Sequence, residues 1–235
     1  MRVRSSETEL LDEADLGQAE INASLDFMVG VNRRFGGTRA ILDYFRRHAA
    51  ERSLTVLDLG TGAGDIPRAL VEWAESESKE IEVTALDVNP RCLAYARARH
   101  PSDRIRYLEH SAFRCEELGS FDYVVSSMFF HHLSDDEIVA LLKTINRCAR
   151  RGFVVNDLYR SRLHCTAAYL AALSTFKPVV VSDAPLSVRR GFREKDFERY
   201  RDASGISDLR IQRKPLWRLT MSRVRYDPGR PGDPR

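Results

Sequence analysis

The chain has few cysteines, no long apolar run and little net charge. Its 235 residues include four cysteines, Cys92, Cys115, Cys148 and Cys165, without a CxxC pair or any metal-ligand spacing. Such scattered cysteines favour free thiols in a reducing cytosol. No apolar stretch approaches the roughly 20 residues that a membrane-spanning helix needs. We therefore expect a cytoplasmic protein with no metal site and no membrane partner.

The charges are almost balanced, with 37 basic and 34 acidic residues and a formal net charge of +3. This balance is too mild to indicate a nucleic-acid partner. The N-terminus mixes Arg2 and Arg4 with acidic residues and lacks an apolar core, so it does not read as a signal peptide. With 43% hydrophobic residues, the chain suits one large domain or a domain with a lid.

The most informative stretch is a glycine-rich turn. Residues 54–66 read LTVLDLGTGAGDI, an apolar run that predicts a strand, followed by Gly60, Gly62 and Gly64 and then a helical pattern. A strand, a tight glycine turn and a helix let a ligand lie against bare backbone. A dinucleotide fingerprint would place glycine at position 65, where this chain has Asp65, so a nicotinamide or flavin dinucleotide fits poorly.

The DLGTGAGD sequence resembles the first motif of the class I S-adenosylmethionine-dependent methyltransferases, an acidic residue followed by three alternating glycines. The resemblance is good over residues 30–160 and implies S-adenosylmethionine as the cofactor. The cofactor-binding residues expected from it are Asp58, Gly60, Thr61, Gly62, Gly64, Asp87, Val88, Ser111, Ala112 and Ser127.

Asp87 ends the next apolar run, about 20 residues past the glycines, where a ribose needs an acceptor for its two hydroxyls. In the family that the chain resembles, this position binds the ribose of the cofactor. The alternative is that Asp87 caps the following helix, although Asn89 followed by Pro90 suits that role better.

Ser111 and Ala112 stand where the family usually has an Asp–Ala pair beside the adenine. A serine accepts a hydrogen bond from the adenine amino group more weakly than a carboxylate does. A plain loop serine is therefore the alternative interpretation of Ser111.

Strands and helices alternate from residue 38 to residue 156, which predicts an α/β fold with helices on both faces of a parallel sheet. Ser134 and Glu137 form a capping box before a helix that Gly152 is expected to end. Alternation over 209–211 and 217–224 predicts a closing antiparallel hairpin. The resemblance then implies a Rossmann-like, mostly parallel seven-stranded sheet with an N-terminal helical lid.

The expected organisation is a flexible N-terminus over residues 1–20, a single methyltransferase domain over 21–225 and a disordered tail over 226–235. Within the domain, residues 21–52 predict two helices separated by Gly36 and Gly37. Residues 158–177 predict an inserted helix at the carboxyl end of the sheet, as a lid or a dimer contact.

Several residues outside the nucleotide-binding core are candidates for ligand contact. Phe27, Met28 and Phe35 could wall a pocket or simply pack on the core, and Arg33 or Arg34 could reach the cofactor's carboxylate or lie at the surface. Residues 182–205 predict a loop followed by a helix.

Methyl transfer is a direct displacement at a sulfonium carbon, so it depends mainly on alignment, with a base where the acceptor must lose a proton. His131 and His132 follow the fourth strand, and neighbours in a loop point in different directions, so one of them should face the pocket. The alternative is that both only pack and hydrogen-bond above the capping box. The resemblance favours His131 as the base or orienting group and a structural role for His132. Asp157 could assist the base or cap the next helix. Asn156, Tyr159 and Arg160 are second candidates.

These observations predict an S-adenosylmethionine-dependent methyltransferase that acts on a small, partly apolar acceptor, most readily a phenolic or polyketide hydroxyl of secondary metabolism. Three alternatives stay open: a C-methyltransferase of quinone-like biosynthesis, methylation on nitrogen, and a non-catalytic partner protein with a methyltransferase fold. We expect a monomer or a homodimer.

Overall fold

Strands and helices alternate along the chain in the computed structural model, which describes residues 1, 3–13 and 16–225. The strands are β1 (Ser53–Leu59), β2 (Glu80–Asp87), β3 (Ile105–Glu109), β4 (Phe121–Ser127), β5 (Ala149–Leu158), β6 (Arg210–Lys214) and β7 (Arg218–Val224). The helices are α1 (Leu10–Glu13), α2 (Gln18–Arg34), α3 (Gly37–His48), α4 (Asp65–Ser76), α5 (Pro90–Arg99), α6 (Asp135–Cys148), α7 (Arg162–Leu173), α8 (Pro178–Arg190) and α9 (Glu194–Ser204), with 3₁₀ turns at Ala112–Leu118 and Phe130–His132.

The strands form one seven-stranded sheet in the order β3-β2-β1-β4-β5-β7-β6. β1 to β5 are parallel, β7 is antiparallel to β5, and β6 is antiparallel to β7. This arrangement confirms the predicted Rossmann-like sheet and its closing hairpin. Because the strand order reverses between β1 and β4, the fold opens a crevice at the carboxyl ends of these strands, where α/β sheets bind ligands.

Two apolar layers cover the faces of the sheet, as predicted. Leu57 and Leu59 of β1 pack into the layer that includes residues of α6 and α9. Leu54 and Val56 of the same strand pack into the opposite layer, with residues of α3, α4 and α5. Successive side chains of a strand point to opposite faces, so one short apolar run serves both layers.

Local capping follows the predictions. The Ser134 hydroxyl accepts from the Glu137 amide, and the Glu137 carboxylate accepts from the Ser134 amide, which completes a capping box at the start of α6. The Asn89 side chain accepts a hydrogen bond from the Arg91 amide at 3.0 Å and caps α5.

Gly152 does not end α6, contrary to the sequence prediction. The helix ends at Cys148, β5 begins at Ala149, and Gly152 lies within that strand. A Cβ atom at Gly152 would lie 2.3 Å from the Arg223 carbonyl oxygen and 2.4 Å from the Tyr44 hydroxyl. The glycine therefore permits close approach of α3 to the strand, which is the other common reason for glycine in a sheet.

The predicted loop after Ser182 is also wrong, because residues 178–190 form helix α8. Pro178 occupies the first turn of α8, where its missing N–H costs nothing, but Pro185 lies inside the helix. The helix continues past Pro185 because Val180, Leu186 and Val188 are buried against the domain. The predicted inserted helix is α7, and it packs against α8 as a helical pair.

The N-terminal segment is polar, yet its described part is packed against the domain. Over residues 3–13, Glu9 is 4% exposed, and the Asp183 carboxylate accepts from the Leu10 and Leu11 amides. This differs from the loose segment expected over 1–20, because the partners that hold it lie far away in the sequence. Residues 226–235, expected to be a disordered tail, lie outside the described residues. Within the described residues, no helix is both long and apolar enough to cross a membrane.

Candidate active site

A cleft opens at the carboxyl ends of β1, β2 and β4, where the strand order reverses. It encloses about 1180 Å³, part of it open to solvent. Its lining includes Gly60, Gly62, Asp87, Ala112, Phe129 and His132.

Gly60, at the start of the turn, has a φ of +67° in the left-handed region. A Cβ atom at this position would lie 2.5 Å from the Phe129 ring, so only glycine lets the turn pass beneath that ring. Gly62 differs, because the nearest atoms to its added Cβ, on Leu25 and Met28, are 3.9 Å away. The bare backbone of Gly62 therefore faces the open cleft, as the binding of a ligand against the main chain requires.

Asp87 is fixed at the edge of this cleft by two backbone amides. Its carboxylate oxygens accept from the Gly62 amide at 2.8 Å and from the Asn89 amide at 2.9 Å. Burial raises the pKa of Asp87, and these hydrogen bonds oppose the rise. Asn89, not Asp87, caps α5. The remaining lone pairs of the Asp87 carboxylate can therefore accept hydrogen bonds from a pair of ribose hydroxyls.

Asp58 and Thr61 are buried under the turn, at 1% and 5% exposure, and Gly64 is the N-cap residue that precedes α4. In the described part of the chain they contribute to the base of the turn rather than to the cleft lining. Burial raises the pKa of Asp58 to about 7, and the negative charges of Asp65 and Asp87 add to this rise.

The far end of the cleft is formed by the segments that follow β2 and β3. Val88, Ser111 and Ala112 all line it, as predicted, and Val88 is 67% exposed at the rim. The Ser111 hydroxyl accepts from the Phe113 amide at 3.3 Å and caps a 3₁₀ turn. His110 and Phe113 also line this end, and sequence reasoning missed both because neither lies in a glycine or acidic motif.

Ser127, another expected cofactor contact, does not line the cleft because it is bonded to the neighbouring strand β5. Its hydroxyl accepts from the Asn156 side chain at 2.9 Å, and only 8% of the residue is exposed. Met128, whose φ is +56°, turns the chain at this point and lines the cleft instead.

A second cavity, here called the chamber, adjoins the cleft and encloses about 760 Å³, part of it open to solvent. Met28, Met128 and Leu11 line both cavities, so the two spaces share a wall. The other walls are mainly apolar and aromatic. They include the predicted pocket residues Phe27 and Phe35. They also include residues that the sequence analysis did not predict for the pocket: Val31, Leu158, His164 and Trp217.

His131 and Asp157 form a buried pair at the chamber. The Nδ1 atom of His131 lies 2.7 Å from Asp157 Oδ1, and both residues are at most 2% exposed. The amides of His131 and Leu158 also donate to this carboxylate. Burial alone would raise the pKa of Asp157, but the charge and hydrogen bond of His131 lower it overall. Asp157 therefore remains an anion that orients the imidazole, and Ser161, not Asp157, caps α7.

His132 faces the other cavity, as expected of neighbouring residues in a loop. It lines the cleft, whereas His131 lines the chamber. Its Nδ1 atom lies 2.7 Å from Asp12 Oδ2. Burial lowers the pKa of His132, but the Asp12 hydrogen bond and the nearby carboxylates of Glu9 and Asp157 raise it to about 9.

The second candidates at the end of β5 hold other parts of the fold. Asn156 bonds to Ser127, Arg160 pairs with Asp196 at 2.9 Å, and the Tyr159 ring stacks under the Arg213 guanidinium at 4.1 Å. Arg33 and Arg34, expected either to reach the cofactor or to lie at the surface, are exposed on α2.

Two further groups of the chamber are found by the structure alone. The His164 ring stacks on Trp217, with centroids 5.2 Å apart, and burial lowers its pKa to about 4, so His164 is neutral. Glu9 lies 3.6 Å from the Nε2 atom of His131. Neither residue belongs to a motif, and Glu9 lies in a polar stretch that predicts a loose segment.

Comparison with known proteins agrees with this fold. Residues 56–152 match the family model of the methyltransferase domain. No curated protein sequence matches the chain. The fold is similar to that of magnesium protoporphyrin IX methyltransferase from Synechocystis PCC 6803 with bound S-adenosylhomocysteine, with 15% identity, a TM-score of 0.56 and coverage of 82% of this chain and 83% of that one.

Two other solved structures are similar in fold. The plantazolicin methyltransferase BpumL in complex with S-adenosylhomocysteine has 13% identity, a TM-score of 0.63 and coverage of 86% of this chain and 76% of that one. The mitomycin 7-O-methyltransferase MmcR has 21% identity, a TM-score of 0.55 and coverage of 83% of this chain and 54% of that one.

The sheet order, the glycine turn below an open cleft and the fixed Asp87 carboxylate define a Rossmann-like α/β fold with an open cleft at its topological switch point. Residues 56–152 match a methyltransferase domain, and the fold of the described chain is similar to that of S-adenosylmethionine-dependent methyltransferases. Two of these neighbours hold S-adenosylhomocysteine, and the bare Gly62 backbone and the Asp87 carboxylate fit a ligand of this kind.

Proposed function

We propose that this enzyme transfers a methyl group to a hydroxyl oxygen of a small, partly apolar acceptor bound in the chamber. The observation that carries the proposal is His131, which lines an apolar chamber adjoining the cleft and is oriented from behind by the buried Asp157 carboxylate. When bound in the cleft, S-adenosylmethionine supplies an electrophilic methyl group on its sulfonium.

His131 is the proposed base. The amides of His131 and Leu158 donate to Asp157, so its carboxylate is an acceptor and Nδ1 of His131 must carry the hydrogen of their 2.7 Å bond. The Nε2 atom then presents a lone pair on the opposite side of the ring. A neutral imidazole of this kind can take a phenolic proton near neutral pH, which favours O-methylation.

The proposed cofactor contacts are those of the cleft. Gly60 and Gly62 offer backbone, Asp87 accepts from the ribose, and Val88, Ser111 and Ala112 surround the adenine end. His132 closes the cleft beside the chamber and holds the N-terminal segment through Asp12. Holding acceptor and methyl group in line accounts for most of the rate enhancement in such a displacement.

The acceptor is proposed to be an aromatic or polyketide phenol, as is common in secondary metabolism. Phe27, Phe35 and Trp217 give the chamber aromatic walls, which suit a flat apolar body. The fold likeness to an enzyme named for 7-O-methylation of mitomycin agrees with a small-molecule hydroxyl acceptor.

The test begins with calorimetric titration of the purified protein with S-adenosylmethionine and S-adenosylhomocysteine, followed by a screen of phenols with methyl-labelled cofactor. We expect micromolar binding of both and labelled aryl methyl ethers as products. His131→Ala should lower turnover on the order of 100-fold while cofactor binding is retained. His100→Ala, a histidine outside both cavities, is the matched control. Cofactor binding without any ether product would reject the O-methylation proposal.

A further inference from the structure

The described N-terminal residues 3–13, here called the strap, are fastened to the loop that carries both histidines. The Arg190 guanidinium donates to the carbonyl oxygens of His131 and His132 at 2.8 Å, and also to that of Glu7 in the strap. Arg4 of the strap donates to the carbonyl of Leu133 at 2.9 Å and to that of Arg190 at 2.9 Å. The strap and the histidine loop are therefore held as one unit.

Glu9 is the charged strap residue that lines the chamber, where Leu11 of the strap also lies. It is 4% exposed, and the Ser187 hydroxyl of α8 donates to its Oε1 at 2.8 Å. The flanking backbone is held as well, because the amides of Leu10 and Leu11 donate to Asp183. Contacts on both the side chain and the main chain thus fix this carboxylate in an apolar wall, where burying it without partners is costly.

Glu9 and His131 present two hydrogen-bond acceptors to the same space. Glu9 Oε1 lies 3.6 Å from His131 Nε2, which is longer than a hydrogen bond between them. In the neutral His131 that the proposed base requires, Nδ1–H donates to Asp157 and Nε2 carries a lone pair. Glu9 Oε1 already accepts from the Ser187 hydroxyl, but a carboxylate oxygen accepts more than one hydrogen bond. A ligand with two hydroxyl donors satisfies both groups, whereas a single hydroxyl has only one hydrogen to offer.

We infer that Glu9 is an acceptor-binding residue and that the acceptor is an aromatic compound with two neighbouring hydroxyl groups, one facing His131 and the other facing Glu9. This inference rests on the proposed function. The hydroxyl at His131 is methylated: its oxygen forms the bond to the methyl carbon, the carbon–sulfur bond breaks with its electron pair left on sulfur, and the proton passes to Nε2. The hydroxyl at Glu9 donates to the carboxylate and is left unmethylated.

A divalent cation is the competing occupant of the same space. One ligand atom from each of Glu9, His131 and His132 lies within 4.8 Å of the others. Asp157 and Asp12 orient the two rings, as carboxylates often do for metal-bound histidines. The geometry nevertheless favours the dihydroxy acceptor, because His131 faces the chamber whereas His132 faces the cleft.

The test compares naphthalene-2,3-diol with 2-naphthol as methyl acceptors, since the two differ by one hydroxyl on the same apolar body. In the wild-type enzyme the diol should have the higher kcat/KM. Glu9→Gln should lower kcat/KM for the diol by about 10- to 100-fold, as expected for loss of a hydrogen bond to a charged group, and that for 2-naphthol by less than about 3-fold. Glu7→Gln is the matched control, because Glu7 lies in the same strap but pairs with Arg189 at the surface.

The possible outcomes distinguish failure of the Glu9 inference from failure of the proposed O-methylation. An equal loss for both acceptors in Glu9→Gln would mean that Glu9 only holds the strap, and would overturn the inference. Loss of activity in EDTA with recovery on adding Zn²⁺ or Mn²⁺ would identify a metal site and overturn it too. If neither naphthol is methylated although the cofactor binds, the proposed function fails and the methylation step falls with it. The binding role of Glu9 is then tested separately by calorimetric titration of the S-adenosylhomocysteine complex with the diol. Glu9→Gln should weaken this binding at least 10-fold, and an unchanged dissociation constant would overturn the binding role as well.

Discussion

The imidazole of His131 donates from Nδ1 to the carboxylate of Asp157, 26 residues away in the sequence, at a distance of 2.7 Å. The two residues meet because β4 and β5 are adjacent parallel strands, and the chain leaves both at the same edge of the sheet. A buried carboxylate that orients an imidazole toward a substrate is a recurring arrangement in acid–base catalysis.

Asp157→Asn tests this relationship. The amide keeps the size of the carboxylate but not its charge, so it neither enforces the Nδ1–H tautomer nor stabilises the imidazolium. We expect kcat to fall by about 10² to 10⁴-fold, with the Kd of S-adenosylhomocysteine unchanged. Steady-state kinetics and calorimetry measure the two effects, with Asp208→Asn, in a surface pair with Arg223, as control. An unchanged kcat would exclude His131 as the base.

Asp87→Ala tests the ribose contact. Removal of a charged acceptor that is fixed by two backbone amides should weaken binding of S-adenosylmethionine by about 1–3 kcal/mol. Calorimetric titration gives the dissociation constant, and Asp103→Ala, an exposed aspartate before β3, provides the comparison. Equal affinity in the Asp87 variant would contradict the proposed orientation of the cofactor.

Gly60→Ala tests the steric role of the turn. Gly60 and Gly205 both have a positive φ, but an added Cβ meets Phe129 at 2.5 Å in the first and nothing within 4 Å in the second. Both substitutions should cost about 1–2 kcal/mol of stability for the left-handed backbone. Only Gly60→Ala should also weaken binding of S-adenosylhomocysteine. Chemical denaturation and calorimetry separate these effects, and equal behaviour of the two variants would contradict the steric argument.

The His132–Asp12 pair predicts a pH dependence of stability. Burial opposes protonation of His132, but Asp12 and the nearby carboxylates raise its pKa to about 9, above an ordinary value of 6.5. A raised pKa in the folded state stabilises the protein fully below pH 6.5, and this stabilisation is lost as the pH rises towards 9. The wild-type Tm should therefore fall over this range.

The matched variant is Asp12→Asn, in which the fall in Tm between pH 6.5 and 9 should be smaller. Asp202→Asn, in an exposed pair with Arg201, should keep the wild-type slope. Differential scanning fluorimetry across the pH series is sufficient for the comparison. Parallel curves for wild type and Asp12→Asn would show that this pair does not set the slope.

Much of the fold and of the cofactor cleft could be predicted from the sequence, because the determining interactions are local. Gly60 directly follows the apolar strand β1, Asp87 is the last residue of the apolar strand β2, and one helix lies between the two strands. The Ser134 and Asn89 caps act within three residues of themselves. The errors arose where distant contacts prevailed: Gly152 lies within a strand because Tyr44 packs on it, and α8 continues through Pro185 because its apolar side is buried.

The amino-acid sequence by itself determined the parallel sheet, the glycine turn and the acidic Asp87 beside it. The hydrophobic periodicity of strands and helices, the residues of a turn and the spacing between motifs are all properties of residues close together in the chain. Only the tertiary structure decided which histidine faces which cavity and that Glu9 lies beside His131. Those positions depend on Arg190 and Ser187 of α8, which hold the N-terminal strap from more than 170 residues away. No local pattern encodes contacts of that range, because they form only when α8 packs against the histidine loop.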